Sequence, residues 1–394
     1  KFFEKFSIGV GTSRDAWNYN SSLNKLKKLA KSQSDFYNSE VERYEQSDQS
    51  IPVEKFINLD PKKISWNRSL RNDLGRLKKH KFDDSEFVLS HYRPFFKQHL
   101  YFNKMLNNDI GKLKNFLYGQ DNGIFISVTG TGSKNGFSAL MSKELPDMQL
   151  MFNGQNFPLK IYDDTKISSG DDLFSSVENK DQNIELENIS SNSLNFVRKK
   201  YKENKITKLQ ILYYIYGIFH STEYKKLFEN NLSKTLPRVP LLKKTSDFWK
   251  YVEYGEKLKE LHVDYENVKP YPIKYKEEIP SIKNIDDAVN FYRVKKMKFN
   301  KNDKTTIIYN QNITIEDIPF NAYDYIINGK TAIEWVMDRQ CIKTDRNSGI
   351  INDANDYANE TMMNPAYPLE LLQRVITVSL ETMKIVKKLP KLNI

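Results

Sequence analysis

The spacing of apolar residues changes repeatedly along this chain, and that alternation most restricts what it can fold into. From Ser21 to Tyr44, residues Leu23, Leu26, Leu29, Phe36, Tyr37, Val41 and Tyr44 largely recur at helical spacing behind a Ser-rich start, which predicts a long amphipathic helix. Over 87–162 the pattern breaks into short runs at 87–89, 100–102, 124–128, 149–152 and 159–162, separated by Gly, Asn, Asp and Pro. Such runs predict strands of a sheet or small barrel. Helical spacing returns over 207–228 and 246–261, with Pro237 and Pro240 marking the break and Ser246 and Asp247 as candidate caps. Residues 293–299, 305–309 and 313–315 read as a strand meander around a turn at 300–303, and helices are predicted at 331–339 and about 369–388. No internal repeat is visible. The expected fold is α+β: a helical connector over 1–55, then a strand-rich lobe over about 56–162, an acidic mobile segment over about 163–195 and a mixed α/β lobe over about 196–394.

Charge bears on the partner. Lys and Arg number 61 against 50 Asp and Glu, a net +11, and such a surplus favours polyanions. A Lys-, Asn- and Ile-rich genome would give the same surplus, so charge alone leaves both explanations open. Hydrophobic residues at 39% and aromatics at 13% are enough to build a core and exclude wholesale disorder. The most lopsided basic stretch runs over 62–81, where eight Lys and Arg oppose the single acid Asp73. Segment 163–187 is acidic and Ser-rich and would repel DNA. A single cysteine, Cys341, allows no internal disulfide and no thiolate zinc site, as expected of a cytoplasmic protein. The longest apolar run, 211–219, is too short to cross a bilayer, so no membrane partner is expected. The chain opens at Lys1 without a signal-peptide pattern and reads as a piece of a longer polypeptide.

The residues that several enzyme chemistries need are missing or poorly placed. There is no Pro-Pro pair to build an amino-methyltransferase loop. Gly130, Gly132 and Gly136 around Ser133-Lys134-Asn135 match neither a phosphate-cradling loop nor the dinucleotide fingerprint, and read instead as a tight turn or a DNA-facing loop. Pro146-Asp147 with Glu178-Asn179-Lys180 has the outline of a metal-dependent nuclease, but its second half lies in the acidic segment, which is a poor place to hold a catalytic lysine. The five histidines, His80, His91, His99, His220 and His262, lack metal-ligand spacing and read as packed or surface rings. No cofactor or metal is expected in this chain.

Several blocks together resemble a known family. Gly9-Val10-Gly11-Thr12-Ser13-Arg14-Asp15-Ala16-Trp17, Asp35-Phe36-Tyr37-Asn38 and Val41-Glu42-Arg43-Tyr44 are similar to the stretch that follows the methyltransferase domain in type ISP restriction-modification enzymes. The resemblance continues through Tyr92-Arg93-Pro94-Phe95, Phe157-Pro158-Leu159, Tyr216-Gly217-Ile218-Phe219-His220-Ser221, Leu236-Pro237-Arg238-Val239-Pro240, Tyr325-Ile326-Ile327-Asn328-Gly329 and Ile333-Glu334-Trp335-Val336. It extends to Lys343-Thr344-Asp345 and on to Ile351-Asn352-Asp353. Relatives usually carry an acid after Tyr-Arg-Pro-Phe, where this chain has Phe96. The resemblance implies a target-recognition domain at the end of a polypeptide that also carries a nuclease, an ATP-driven translocase with Mg²⁺, and an adenine methyltransferase using S-adenosylmethionine. It implies double-stranded DNA and the methyltransferase domain of the same polypeptide as partners, and no catalysis by this region itself. Tyr216, Phe219 and Trp335 sit at core spacing and are expected to pack rather than touch DNA.

A target-recognition domain reads base edges and grips phosphates with different residues. Arg68, Arg71, Arg76, Lys78 and Lys79 are the phosphate candidates, with a solvated helix face as the alternative. Lys134 and Asn135 on the glycine-flanked loop, together with Arg93, are the base-reading candidates, since Arg and Asn can form paired hydrogen bonds with guanine or adenine. The rival functions are a stand-alone nucleic-acid-binding module and a nuclease of unfamiliar design.

Overall fold

The protein is described here by a computed structural model covering residues 1–116, 123–163, 184–301 and 303–394. Its first part is built on two four-stranded sheets that share neighbouring stretches of chain. The strands are β1 (Ser7–Ile8), β2 (Tyr19–Asn20), β3 (Phe87–Arg93), β4 (Phe96–Tyr101), β5 (Phe125–Val128), β6 (Ala139–Ser142), β7 (Leu145–Pro146) and β8 (Gln155–Pro158). One sheet has the order β1-β8-β5-β6, the other β2-β4-β3-β7. All pairs are antiparallel except β3 with β7. The chain changes sheets four times, after β1, β4, β6 and β7, and Val10, Tyr19, Leu100, Phe125 and Leu145 meet in one buried cluster.

Residues 1–20, assigned from the sequence to the connector, therefore supply a strand to each sheet. Two-residue strands carry no readable period. The long helix forms as expected, over Leu23–Glu45, with Ser22 accepting from the Lys25 N–H as its cap. Its Tyr37, Val41 and Tyr44 bury against Leu70 and Leu74 of the short helix Arg68–Gly75 and against Tyr101. The expected strand at 149–152 is instead a turn, stabilised by Asp147, whose carboxylate accepts from the Gln149 N–H. Strand β6 was not anticipated.

Of the acidic segment expected to be mobile over about 163–195, residues 164–183 lie outside the described residues, while its far end is regular structure that runs into the helix Ser191–Tyr201. At its margins, β9 (Lys160–Asp163) and β10 (Ile184–Glu187) pair antiparallel. Helices Lys208–His220 and Thr245–Val263 then cover one face of the β5–β6 sheet, burying Ile126, Val128, Ala139 and Met141. They cross at glycines: a Cβ on Gly255 would lie 1.9 Å from the Tyr213 carbonyl oxygen, and one on Gly217 would lie 2.7 Å from that of Tyr251. The expected helix over 207–228 is broken at Ser221, which leaves helical geometry and caps a new helix, Thr222–Leu227. Ser246 and Asp247 are not caps but first-turn residues, because the helix starts earlier, behind Lys244.

The C-terminal part carries the antiparallel sheet β11-β14-β13-β12, made of β11 (Lys274–Tyr275), β12 (Lys298–Asn300), β13 (Asp303–Ile308) and β14 (Thr314–Glu316). Only the end of the strand predicted over 293–299 is extended; residues 293–297 form a loop that follows the helix Ala288–Tyr292. Hairpin β15 (Ile326–Ile327) and β16 (Lys330–Thr331) leads into the helix Ala332–Arg339, whose capping box joins Thr331 and Glu334. Then β17 (Ile342–Thr344) pairs with β18 (Ile351–Asp353), and the last long helix is Tyr367–Lys388. Leu371, Leu372 and Val375 of that helix join the C-terminal core, while Ile385 and the following Leu389 pack on the β5–β6 lobe. Tyr216, Phe219 and Trp335 are all buried.

Candidate nucleic-acid interface

The connection between β5 and β6 is an exposed loop on a fixed base. At its base the Thr129 N–H donates to the Ser138 carbonyl at 3.0 Å, and the Ser138 N–H returns a bond to the Thr129 hydroxyl at 2.9 Å. Gly130 must be glycine: its N–H reaches the Phe152 carbonyl at 2.8 Å, and a Cβ there would fall 2.2 Å from the Asn153 carbonyl oxygen. Farther out, the Gly132 N–H donates to the Ser233 carbonyl at 2.9 Å.

A third support comes from the hairpin turn Asn328-Gly329. The Asn328 N–H donates to the Ser138 hydroxyl at 3.0 Å, and its side-chain oxygen accepts from the Phe152 N–H at 3.2 Å. Gly329 has φ +82°, and a Cβ on it would lie 2.5 Å from the Asn135 side-chain carbon, so the Asn135 amide rests directly on this turn. Thr131, Lys134, Asn135 and Gly136 are exposed at the rim. Lys134 makes no ion pair among the described residues. The supporting turn was not singled out from the sequence as part of the site, although Asn-Gly between apolar residues is a strong hairpin signal.

The basic stretch lies elsewhere, on the helix Leu23–Glu45. Asn67 caps the helix Arg68–Gly75 by accepting from the Leu70 N–H at 2.8 Å, and burial of Leu70 and Leu74 turns Arg68 outward. Arg76 is also exposed, and neither forms an ion pair among the described residues. Arg71 is half-buried, with its Nε unpartnered. Lys78 approaches Asp73 at 3.6 Å and Lys79 approaches Glu42 at 3.0 Å. Glu42 holds the Lys79 ammonium above its usual pKa. Such exposed pairs contribute little and exchange readily for a phosphate. No hydrogen bond or ion pair among the described residues joins this stretch to the β5–β6 loop.

Arg93 faces inward. It sits at the β3–β4 hairpin, where Phe95 is fully buried with φ +56°. Its Nη1 donates to Asp147 at 2.6 Å, its Nη2 lies 3.5 Å from Asp15, and the guanidinium covers the Tyr92 ring at 3.8 Å. Burial works against its charge, but Asp147, Tyr92 and Asp15 more than offset this and raise its pKa. Burial also pushes the Asp147 carboxyl up to about 6, opposed by Arg93, so the pair is ionised at neutral pH. Arg93 could reach a base only by stranding a buried carboxylate. Of the three base-reading candidates, Arg93 is thus held inward by Asp147, while Lys134 and Asn135 are exposed.

The same pairing accounts for Asp147 of the outlined nuclease motif, whose Glu178-Asn179-Lys180 half lies outside the described residues. Among the described residues no cluster of His, Cys, Asp and Glu could hold a metal, and no helix is long and apolar enough to cross a membrane. The His220 and His262 rings lie 5.3 Å apart in the core, tilted by 37°, with the Tyr216 hydroxyl 2.5 Å from His262 Nδ1 and the Thr382 hydroxyl 2.9 Å from Nε2.

The type ISP C-terminal specificity domain family matches residues 1–371. Among solved structures, a nuclease-deletion mutant of the type ISP restriction-modification enzyme LlaGI, in complex with a DNA substrate mimic, is similar over the whole of this chain at 35% identity and a TM-score of 0.83. The ATP-dependent type ISP enzyme LlaBIII bound to DNA matches over the same extent at 30% identity and a TM-score of 0.82. The DrdV–DNA complex shares the fold, at 24% identity and a TM-score of 0.79. The chain spans 33% of the LlaGI chain, 24% of LlaBIII and 36% of DrdV. No curated protein matches it. Over nearly all of its length, this chain belongs to the type ISP C-terminal specificity domain family.

Proposed function

We propose that this chain recognises a specific sequence in double-stranded DNA and so directs the adenine methyltransferase, translocase and nuclease of a single-chain restriction-modification enzyme. S-adenosylmethionine, ATP and Mg²⁺ would then serve those other parts, and this region would carry out no catalysis. Family membership and the DNA-bound relatives support this reading. One observation carries the choice of reading head: the β5–β6 loop is anchored at Gly130, Gly132 and Ser138 while Lys134 and Asn135 at its rim remain exposed. A groove reader needs that combination, since a base contact requires a donor pair held in register. Arg68, Arg76, Lys78 and Lys79, with Arg71 behind them, suit backbone contacts that hold the duplex without reading it.

The test compares two sets of variants on cognate and random duplexes. Lys134→Ala or Asn135→Ala should cost about 1–3 kcal/mol on the cognate site and leave random-sequence binding nearly unchanged. Arg76→Ala with Lys78→Ala should weaken both duplexes equally. Equal loss on both duplexes from the loop variants would move the reading head elsewhere.

A further inference from the structure

The C-terminal lobe carries a second concentration of positive charge, in the acid-free run 293–301. Lys295, Lys296 and Lys298 precede or open β12, and all three are exposed, while Met297 between them is buried. None of the three lysines forms an ion pair among the described residues. They border two grooves. One, of about 510 Å³, is lined by Lys296, Lys298, Gly329 and Lys330 together with the acids Glu334 and Asp338. The other, of about 560 Å³, is lined by Lys295, Lys296, Lys298 and the amides Asn310, Gln311 and Asn312.

In the first groove the three lysines Lys296, Lys298 and Lys330 still outnumber the two acids, and Asp338 is shared with cations outside the lining. Asp338 lies 3.0 Å from Lys330, 3.1 Å from Arg339 and 3.9 Å from Lys343, so a single carboxylate faces three cations. Burial and then the neighbouring Arg339 push the Lys343 ammonium below its usual pKa, partly offset by Cys341 and Asp338. Gly329, which lines this groove, is also the residue on which Asn135 rests. The reading loop and the lysine grooves are thus parts of one continuous surface, whereas the basic stretch 62–81 packs on another core.

We propose that the grooves bordered by Lys295, Lys296, Lys298 and Lys330 hold the phosphodiester backbone of the same duplex whose bases meet the β5–β6 loop. This rests on the reading above and deepens it, because it fixes which face of the C-terminal lobe lies along the DNA. Three ammonium groups without ion pairs among the described residues, with the Gln311 amide beside them, can meet phosphate oxygens of any sequence, while the Asn310 amide is held by the Phe291 and Arg293 carbonyls. The contacts lie next to the loop and would set its register on the duplex.

The experiment titrates the unaltered 394-residue chain and its Lys295→Gln/Lys296→Gln/Lys298→Gln variant with a cognate duplex at several salt concentrations between about 50 and 200 mM. Each lost phosphate contact removes about 0.9 from the slope of log affinity against log salt, so the triple variant should lose about 2–3 from that slope. Cognate-over-random preference should persist. The substituted side chains are exposed, so the thermal unfolding midpoint should not move. Bound duplex should also protect these three lysines from acetylation in the unaltered chain. An unchanged slope together with unprotected lysines, in a chain that does bind DNA, would overturn the groove assignment and leave the function standing. A chain that bound no duplex at any salt concentration would overturn both.

Discussion

At the scale of single residues, the hairpin Tyr92-Arg93-Pro94-Phe95 shows how one side chain can look like a contact and serve as a tie. Arg93 was a reasonable base reader from its chemistry, since a guanidinium matches guanine edges. Its hydrogen bonds to Asp147 and the stack on Tyr92 instead fix the hairpin to the turn that carries Gln149. Arg93→Ala would leave Asp147 buried without its partner and should lower stability by about 3–5 kcal/mol, measured as a shift in denaturant midpoint. A midpoint within error of the unaltered chain would show that the pair is dispensable. Lys97 is placed similarly, buried between Glu144 and Glu266 at 2.7 Å from each. In both cases the charge is structural, and no property of the residue type distinguishes it from a DNA-facing one.

At the scale of elements, the helix pair Lys208–His220 and Thr245–Val263 depends on two glycines that propensity alone would count as weaknesses. Backbones this close leave no room for a methyl group, so Gly255→Ala must push the helices apart. The expected cost is about 1–3 kcal/mol, typical of overpacking in a close-packed core. Thermal unfolding would measure it, and an unchanged midpoint would mean that the helices slide without penalty. The long helices were legible because each shows several turns of periodic apolar residues, as at Leu26, Tyr37 and Val41. Strands β1, β2 and β7, with two residues each, have too few alternations to be read. The turn at 149–152 was misread as a strand because its apolar residues, Leu150 and Met151, are buried by the neighbouring lobe rather than by sheet pairing.

At the scale of the whole molecule, three buried histidines link stability to pH. Burial, reinforced by Lys97, brings His91 down to about 3. Burial with Lys225 does the same for His220, and His262 is lowered well below its usual value by burial, His220 and Lys225. In the unfolded chain these rings take up protons below about 6.5, while in the folded chain they stay neutral. Stability should therefore fall as pH drops from about 6.5 toward 3, by about 1.4 kcal/mol per pH unit for each ring. Asp147 opposes this between its ordinary 3.8 and about 6, one group against three. Urea midpoints at pH 7 and pH 5 would check the direction, and a higher midpoint at pH 5 would contradict it. Binding should also weaken steeply with salt, since several cations displace counter-ions from phosphates; a flat profile would contradict a backbone grip.

What the sequence determined by itself was the α+β class, the long helices, the helix at 331–339, and the family to which the chain belongs, because each rests on local period or on residues in linear order. The glycine-flanked loop around Lys134 and Asn135 was legible for a similar reason: Gly130, Gly132 and Gly136 mark backbone geometry that few other residues tolerate. Only the tertiary structure decided which charges face solvent. Arg93 turned inward because Asp147, 54 positions away, was folded beside it, and Lys296, Lys298 and Lys330 came to border one groove because separate strands were brought together. A charge's availability is set by its three-dimensional neighbours, and those neighbours have no fixed spacing in the chain.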